Sequence, residues 1–408
     1  MRDRTGHADR FPGMNKDADN GRNGSGGGRV NGSGGGPGGA DGASRGGGAL
    51  ARIIDASLVR AGGWLPFDRF MALALYAPGL GYYANASRKF GHLPGSGSDF
   101  VTAPELTPLF GRALAAQVAE ALERTGTDEV WEFGAGSGAL ARQLIEALDA
   151  LGRPIARYRI VDLSATLRQR QRETLAPHLD RVEWLDALPE TMAGVIVGNE
   201  VLDAMPVRLL ARVGGRWFER GVVADAAAPS GLGWADRPTD ARPPVAIESD
   251  HDYLTEIHPQ AEAFVATLAD RLVRGAAFLI DYGFPAAEYY HPQRHMGTVM
   301  CHQAHRADGD PLADVGRKDI TAHVDFTGIA LAAQDAGLNV LGYASQGRFL
   351  INCGLPALAE PAGVAERARA AHLIHEHEMG ELFKVVALGA GEPWEPMGFA
   401  QGDRSHTL

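Results

Sequence analysis

The segment Glu132-Phe133-Gly134-Ala135-Gly136-Ser137-Gly138 combines a carboxylate with three alternate glycines. It stands where the apolar run Val130–Phe133 gives way to a helical pattern from Ala139. Glycines at such a turn let the backbone reverse sharply and let a ligand approach with no Cβ in the way. The helix start adds unpaired N–H groups. Two ligand classes use this arrangement. A dinucleotide site needs G-x-G-x-x-G/A, which Gly134, Gly136 and Ala139 satisfy. Its pyrophosphate is anionic, however, and Glu132 would repel it. S-adenosylmethionine has no phosphate; its ammonium, sulfonium and ribose diol all favour a carboxylate. Asp162 ends the following strand, where a ribose-binding acid is expected in either class. A ligand-free turn would account for the glycines but would leave both acids unexplained. The cofactor expected is therefore S-adenosyl-L-methionine, with Glu132, Gly134, Gly136, Gly138 and Asp162 as binding candidates. An NAD-linked oxidoreductase is disfavoured by Glu132.

A second group, Asn199-Glu200-Val201-Leu202-Asp203-Ala204-Met205-Pro206, follows the continuous apolar run Gly194–Gly198. Ligands of open α/β sheets sit beyond the carboxyl ends of strands. Asn199 thus joins the cofactor-binding candidates, and Glu200 and Asp203 fall near the reacting end. Asp203 could instead cap a short helix. Glu200 is harder to explain that way, because an ionised acid beside an apolar strand is costly unless a cation pairs with it.

These groups need a scaffold of alternating strands and helices. Strand patterns fall at Val130–Phe133, Tyr158–Leu163, Val182–Leu185 and Gly194–Gly198. Helical patterns lie between them at Ala139–Leu151 and Thr166–Leu175. This succession implies a parallel, doubly wound sheet. Before it, Ala49–Ala61 and Phe67–Tyr76 read as helices, and Thr102-Ala103-Pro104-Glu105 reads as a capping box opening a long helix through Glu123. After it, Val207–Val213 and Arg216–Val223 flank Gly214-Gly215 as a hairpin. The α/β pattern resumes with helices Ala261–Arg274, Phe326–Ala336 and Arg367–Met379 and strands Ala276–Ile280, Leu338–Tyr343 and Phe383–Leu388.

Composition narrows the class. Of 53 glycines, 17 fall within residues 1–48, a stretch too poor in apolar side chains to fold and expected to be disordered. The net charge of −11 argues against nucleic acid or an anionic membrane as partner. Two cysteines, Cys301 and Cys353, exclude a disulfide scaffold. No apolar run is long enough to span a membrane, and the acids of the tail speak against a transit peptide, so a cytoplasmic protein is expected. No metal site is expected: Cys301-His302 with His305, and His372 with His375 and His377, match no zinc spacing. The expected organisation is a disordered tail over 1–48, a helical cap over 49–127 and a first core part over 128–206. A β-hairpin insertion over 207–255, a second core part over 256–395 and a flexible end over 396–408 complete it.

Taken together, these segments resemble the class I S-adenosylmethionine-dependent methyltransferases. More closely, the chain is similar to the mitochondrial-dysfunction-protein-A type, the complex I assembly arginine methyltransferases. The resemblance runs from about Gly63 to Leu388. Besides the two groups above it is carried by Leu75-Tyr76-Ala77-Pro78, Gly81-Tyr82-Tyr83, Asp99–Glu105, Ile280-Asp281-Tyr282-Gly283, Asp319–Phe326 and Gln346-Gly347-Arg348-Phe349-Leu350. It implies a Rossmann-like core with an N-terminal helical cap and a β-rich insertion. It also implies symmetric dimethylation of a protein arginine, with a respiratory complex I subunit as partner. Under that reading Glu200 is the first choice, and Asp203 the second, for holding the guanidinium, and His323 and Asp325 lie in a motif near the acceptor channel. Asp325 could equally cap the following helix. Val201-Leu202 stand where the family often has aromatic residues, and Asp162 where it often has Glu. The alternatives are a small-molecule methyltransferase, or an assembly factor whose cofactor site is mainly structural.

Overall fold

The computed structural model describes residues 41–85, 102–162 and 164–408. Its centre is a sheet of seven main strands: β1 (Glu129–Phe133), β2 (Arg157–Val161), β3 (Val182–Leu185), β4 (Met192–Asn199), β5 (Leu272–Phe284), β6 (Asn339–Ser345) and β7 (Phe383–Ala390). They lie in the spatial order 3-2-1-4-5-7-6. β3, β2, β1, β4 and β5 run parallel, whereas β7 is antiparallel to both β5 and β6. The sheet is therefore parallel except at this edge, where the sequence expectation was parallel throughout. Helices Leu109–Thr125 and Ala139–Ala150 cover one face, and Pro259–Arg271 and Phe326–Asp335 the other. Two covered faces explain why β4 and β5 read as continuous apolar runs rather than alternating ones. The strand order reverses beside β1, so a cleft opens at the carboxyl ends of β1 and β4.

The N-terminal cap and the insertion form one packed unit. Leu50, Ile54 and Leu58 of helix Asp41–Arg60 and Phe67, Phe70 and Met71 of helix Phe67–Tyr76 share a core with Leu209, Val222 and Leu232 of the insertion. Leu65–Pro66 pairs with Gly221 and Val222, and Trp64 Nε1 donates to Ala235 O at 2.8 Å. The two regions, expected as separate segments, are thus joined through side chains far apart in sequence.

Other expectations change for local reasons. Helix Asp41–Arg60 begins inside the stretch assigned to the tail; residues 1–40 lie outside the described residues, as do Gly91–Ser98 and the Asp99-Phe100-Val101 motif. The long helix expected from Thr102 is broken into Ala103–Leu106 and Leu109–Thr125. Pro108 forces Thr107 into extended backbone (φ −157°, ψ 138°), and Thr102 makes no side-chain cap. The second of these helices packs on Ala139–Ala150 as part of the core, not the cap. Residues 396–408, expected to be flexible, are packed: Phe399 is buried, Tyr343 N donates to Asp403 Oδ1 at 2.9 Å, and Arg404 N donates to Tyr343 O at 2.6 Å. Among the described residues, no helix is long and apolar enough to cross a membrane.

β4 and β5 are in close backbone contact at Gly194 and Gly275, which pair directly. Both have φ in the range L side chains avoid, +140° and +144°. A Cβ on Gly275 would lie 1.8 Å from Gly194 O. Gly275→Ala should therefore cost at least about 3 kcal/mol, read as a lower urea midpoint by circular dichroism; an unchanged midpoint would contradict this account of the strand contact.

Candidate active site

The glycine turn leaves β1 at Phe133. Gly134, Gly136 and Gly138 all have positive φ (65°, 53° and 83°), so each needs the left-handed conformation that glycine adopts without strain. A Cβ on Gly134 would meet Val201 Cγ2 at 3.2 Å, and one on Gly138 would meet Gln171 Cα at 3.3 Å. Gly134 N donates to Val161 O at 3.1 Å, tying the turn to β2. Glu132 is 2% exposed and accepts from the Tyr158 hydroxyl at 2.7 Å. Burial pushes its carboxyl up to about 8; the Tyr158 bond opposes this and the Asp162 charge adds to it.

Asp162 follows β2 and is also buried. Its Oδ1 accepts from Ser164 N at 2.8 Å and its Oδ2 from Gln171 Nε2 at 2.7 Å. Burial raises its carboxyl above the usual range. Gln171, which the sequence reading missed, joins three parts of the site. It also donates to Gly136 O at 3.1 Å, and its Oε1 accepts from Trp184 Nε1 at 2.9 Å. Its spacing in an otherwise ordinary helix carries no signal in the sequence.

At the end of β4, Glu200 has φ +55°. Left-handed backbone at a non-glycine residue costs energy and gathers at functional sites. Its N–H donates to Ile280 O at 2.9 Å. Its carboxyl is pushed up to about 8, first by burial and then by Asp203. Beneath this turn lies Asp281. Its Oδ2 accepts the amides of Val201, Leu202 and Asp203 at 3.1, 2.9 and 3.2 Å, and its Oδ1 accepts Tyr282 N at 3.0 Å. The sequence reading held Asp281 only as part of a motif. The available signal was its place after the apolar run Ala276–Ile280, matching Glu200 after β4. No helix follows Asn199, so Asp203 caps nothing. Asp203 accepts from the Tyr282 hydroxyl, and burial pushes it up to about 6.

Most of these residues face one cavity of about 880 Å³; Gly138, Tyr158, Gln171 and Asp281 are not among its lining residues. Glu132, Gly134, Gly136, Asp162 and Asn199, at the ends of β1, β2 and β4, line one part, and Glu200, Asp203, Asp319, Thr321 and His323 the rest. The N-terminal unit closes a wall: Tyr76 and Tyr83 stack at 5.7 Å, Tyr76 donates to Ala204 O at 2.8 Å, and Tyr83 donates to both oxygens of Asp319 at 2.9 Å. Among the described lining residues there are six acids and no lysine or arginine. That donor set does not fit a pyrophosphate. It fits a cationic ligand with a diol, and the buried, unpartnered Asn199 Oδ1 offers a further acceptor.

The remaining candidates fall outside this group. Asp325 caps helix Phe326–Asp335, accepting from Thr327 N and Gly328 N at 3.1 and 3.2 Å. His372 Nδ1 meets Glu378 at 2.6 Å. Among the described residues, no three His, Cys, Asp or Glu side chains gather as a metal set.

Sheet order, switch-point cleft and an acid-lined cavity with no lysine or arginine among its described lining residues define a class I S-adenosylmethionine-dependent methyltransferase. The family described as "Putative S-adenosyl-L-methionine-dependent methyltransferase" matches residues 113–344, and the chain belongs to it. A superfamily member from Burkholderia thailandensis, crystallised with S-adenosyl-homocysteine bound, is 50% identical, with a TM-score of 0.86 covering 91% of this chain and 100% of that one. The mitochondrial protein arginine methyltransferase NDUFAF7 of Danio rerio is 27% identical over 82% of this chain and 85% of its own. That of Homo sapiens is 25% identical over 73% and 71%. These names correct the cytoplasmic placement expected above: the curated relatives are named mitochondrial. That placement leaned on the composition of a tail outside the described residues, and composition there does not fix a compartment.

Gln171→Leu keeps the side chain's bulk but removes its bonds to Gly136, Asp162 and Trp184. S-adenosyl-homocysteine affinity, measured by calorimetry, should fall about tenfold; unchanged affinity would contradict the role of this link.

Proposed function

We propose that this methyltransferase modifies a protein arginine, with Glu200 holding the guanidinium and Asp203 supporting it. One observation carries the reading. The acceptor end of the cavity presents Glu200 and Asp203, with no lysine or arginine among the described lining residues. Carboxylates buried without counter-charge are costly, and a guanidinium supplies the charge with a planar fork of N–H donors. The arginine methyltransferase names of the relatives agree with it.

At the other end, Glu132 would face the cofactor's cationic groups, Asp162 and Asn199 its hydroxyl and polar groups, and Gly134 and Gly136 would let it approach the backbone, with Gly138 packed behind them on Gln171. S-adenosylmethionine supplies an electrophilic methyl on a sulfonium. The chain's own residues supply alignment. Asp281 fixes the turn that aims Glu200, and holding the acceptor in line is worth several kcal/mol of barrier. Glu200 accepts hydrogen bonds from the guanidinium, keeps electron density on the attacking nitrogen and offsets repulsion between two cations.

Glu200 is raised to about 8 in the free protein, so it is largely protonated below that pH and must ionise to hold a cation. Acceptor KM should therefore rise as pH falls below about 8. Glu200→Gln should keep S-adenosyl-homocysteine binding, lower transfer at least about 100-fold and flatten this pH dependence. A purified complex I core subunit, the partner implied by the family resemblance, is the acceptor to assay first, with symmetric dimethylarginine read by mass spectrometry. Transfer to arginine that survives Glu200→Gln intact would overturn the assignment.

A further inference from the structure

The cavity has an outer rim as well as an acidic interior. Of the exposed large apolar side chains among the described residues, Met300 and Leu382 also line the cavity, at 40% and 51% exposure. A side chain that both lines a cavity and faces solvent marks its mouth. Single exposed apolar residues are ordinary on a protein surface. Two at one mouth, with the half-buried rings of Phe284 and Phe383 lining the same cavity, form a patch of the kind that marks an interaction surface.

Strand register ties this rim to the acceptor end. Strand Met300–Gln303 pairs antiparallel with Asp319–Thr321, which sets Met300 opposite Thr321 and His302 opposite Asp319. Phe383 opens β7 opposite Tyr282 of β5, and their rings lie 5.3 Å apart. The Tyr282 hydroxyl in turn donates to Asp203. The rim is also held in place. The Arg294 guanidinium carbon lies 3.7 Å from the centre of the Phe284 ring, and that ring lies 5.3 Å from the ring of His323. His323 N donates to Thr298 Oγ1 at 3.0 Å, and its carbonyl accepts from His258 Nε2 at 2.8 Å. Leu382 ends helix Met379–Leu382. Its neighbour Glu381 accepts from Arg404 Nη1 at 2.6 Å and, through its carbonyl, from Lys384 Nζ. A patch fixed before binding loses little side-chain freedom when it is covered.

The charges say what covers it. The interior is lined by acids, but the lining residues of the rim carry no charge at pH 7. Phe284, Thr298, Met300, Leu382 and Phe383 do not ionise, and burial lowers His302 below its ordinary range, which keeps it neutral. An acceptor that fits both zones is a cation on a chain whose neighbouring groups are apolar. In an extended polypeptide, residues two apart share one face and stand about 7 Å apart. When an arginine points inward, its second neighbours therefore meet the rim.

We propose that Met300 and Leu382, backed by Phe284 and Phe383, form a docking patch for the acceptor polypeptide, which selects arginines with apolar residues two positions away. This rests on the arginine reading above and adds the sequence around the arginine.

The test uses the full chain with S-adenosylmethionine and two short peptides, identical except for leucine or serine two positions to either side of a central arginine. Transfer is read by mass spectrometry. The leucine peptide should have a KM about tenfold lower at similar kcat, the worth of one or two half-buried apolar side chains. Met300→Ser and Leu382→Ser, combined, should reduce the difference to about twofold by raising the KM of the leucine peptide alone. Calorimetric affinities for L-arginine amide and S-adenosyl-homocysteine should stay constant in this variant, which separates lost docking from lost folding. Equal KM values for the two peptides in wild type, or a preference that survives both substitutions, would overturn the patch. If neither peptide is modified while L-arginine amide binds, the patch fails and the arginine reading stands. If neither the peptides nor the amide bind, both fail.

Discussion

The structure is organised around several carboxyl groups that share one cavity with no lysine or arginine among its described lining residues. Glu132, Glu200 and Asp203 are all pushed up by burial, the expected response of acids denied both water and a counter-charge. The protein tolerates them through neutral donors. Tyr158 serves Glu132, Gln171 and Ser164 serve Asp162, and Tyr282 serves Asp203. Asp281, deepest of the group, takes four amides. Donors of this kind hold a carboxylate in position without neutralising it, so the cavity keeps its appetite for cations.

The scaffold follows from that constraint. β1, β2, β4 and β5 each carry an acid in or just beyond the carboxyl-terminal part, and parallel strands bring those parts to one edge of the sheet. The parallel register of β4 and β5 sets Asn199 opposite Ile280, so Asp281 lies beside the turn after Asn199. The cap and the insertion, packed as one unit, add Tyr76 and Tyr83 and close the wall.

Much of this was legible in the sequence because it is written locally. Glycines at the end of an apolar run, an acid two positions ahead of them and apolar runs bounded by acids mark the strands, the turn and one set of carboxylates. The limits of helix Phe67–Tyr76 were readable for the same reason. What escaped depends on contacts distant in sequence. The antiparallel β7 reads like any buried strand, because direction leaves no periodicity. The union of cap and insertion rests on Trp64 reaching Ala235. The capping box at Thr102 was locally plausible, yet Pro108 decided the helix boundary. Asp162 matters together with Gln171, and His323 together with Thr298 and His258; only the folded chain pairs them. The cytoplasmic expectation failed differently, because a compartment is not a property of packing.

The central claim is that Glu132 and Glu200 wait largely protonated at pH 7 and ionise when a cationic ligand arrives. Calorimetric titration of S-adenosylmethionine at pH 7, in phosphate and in Tris, measures this directly, because the buffer takes up each released proton with its own heat of protonation. Glu132, near 8 in the free protein, should lose its proton as the cofactor's cationic groups bind. The account predicts net proton release, largely abolished by Glu132→Gln. Equal heats in the two buffers would contradict it.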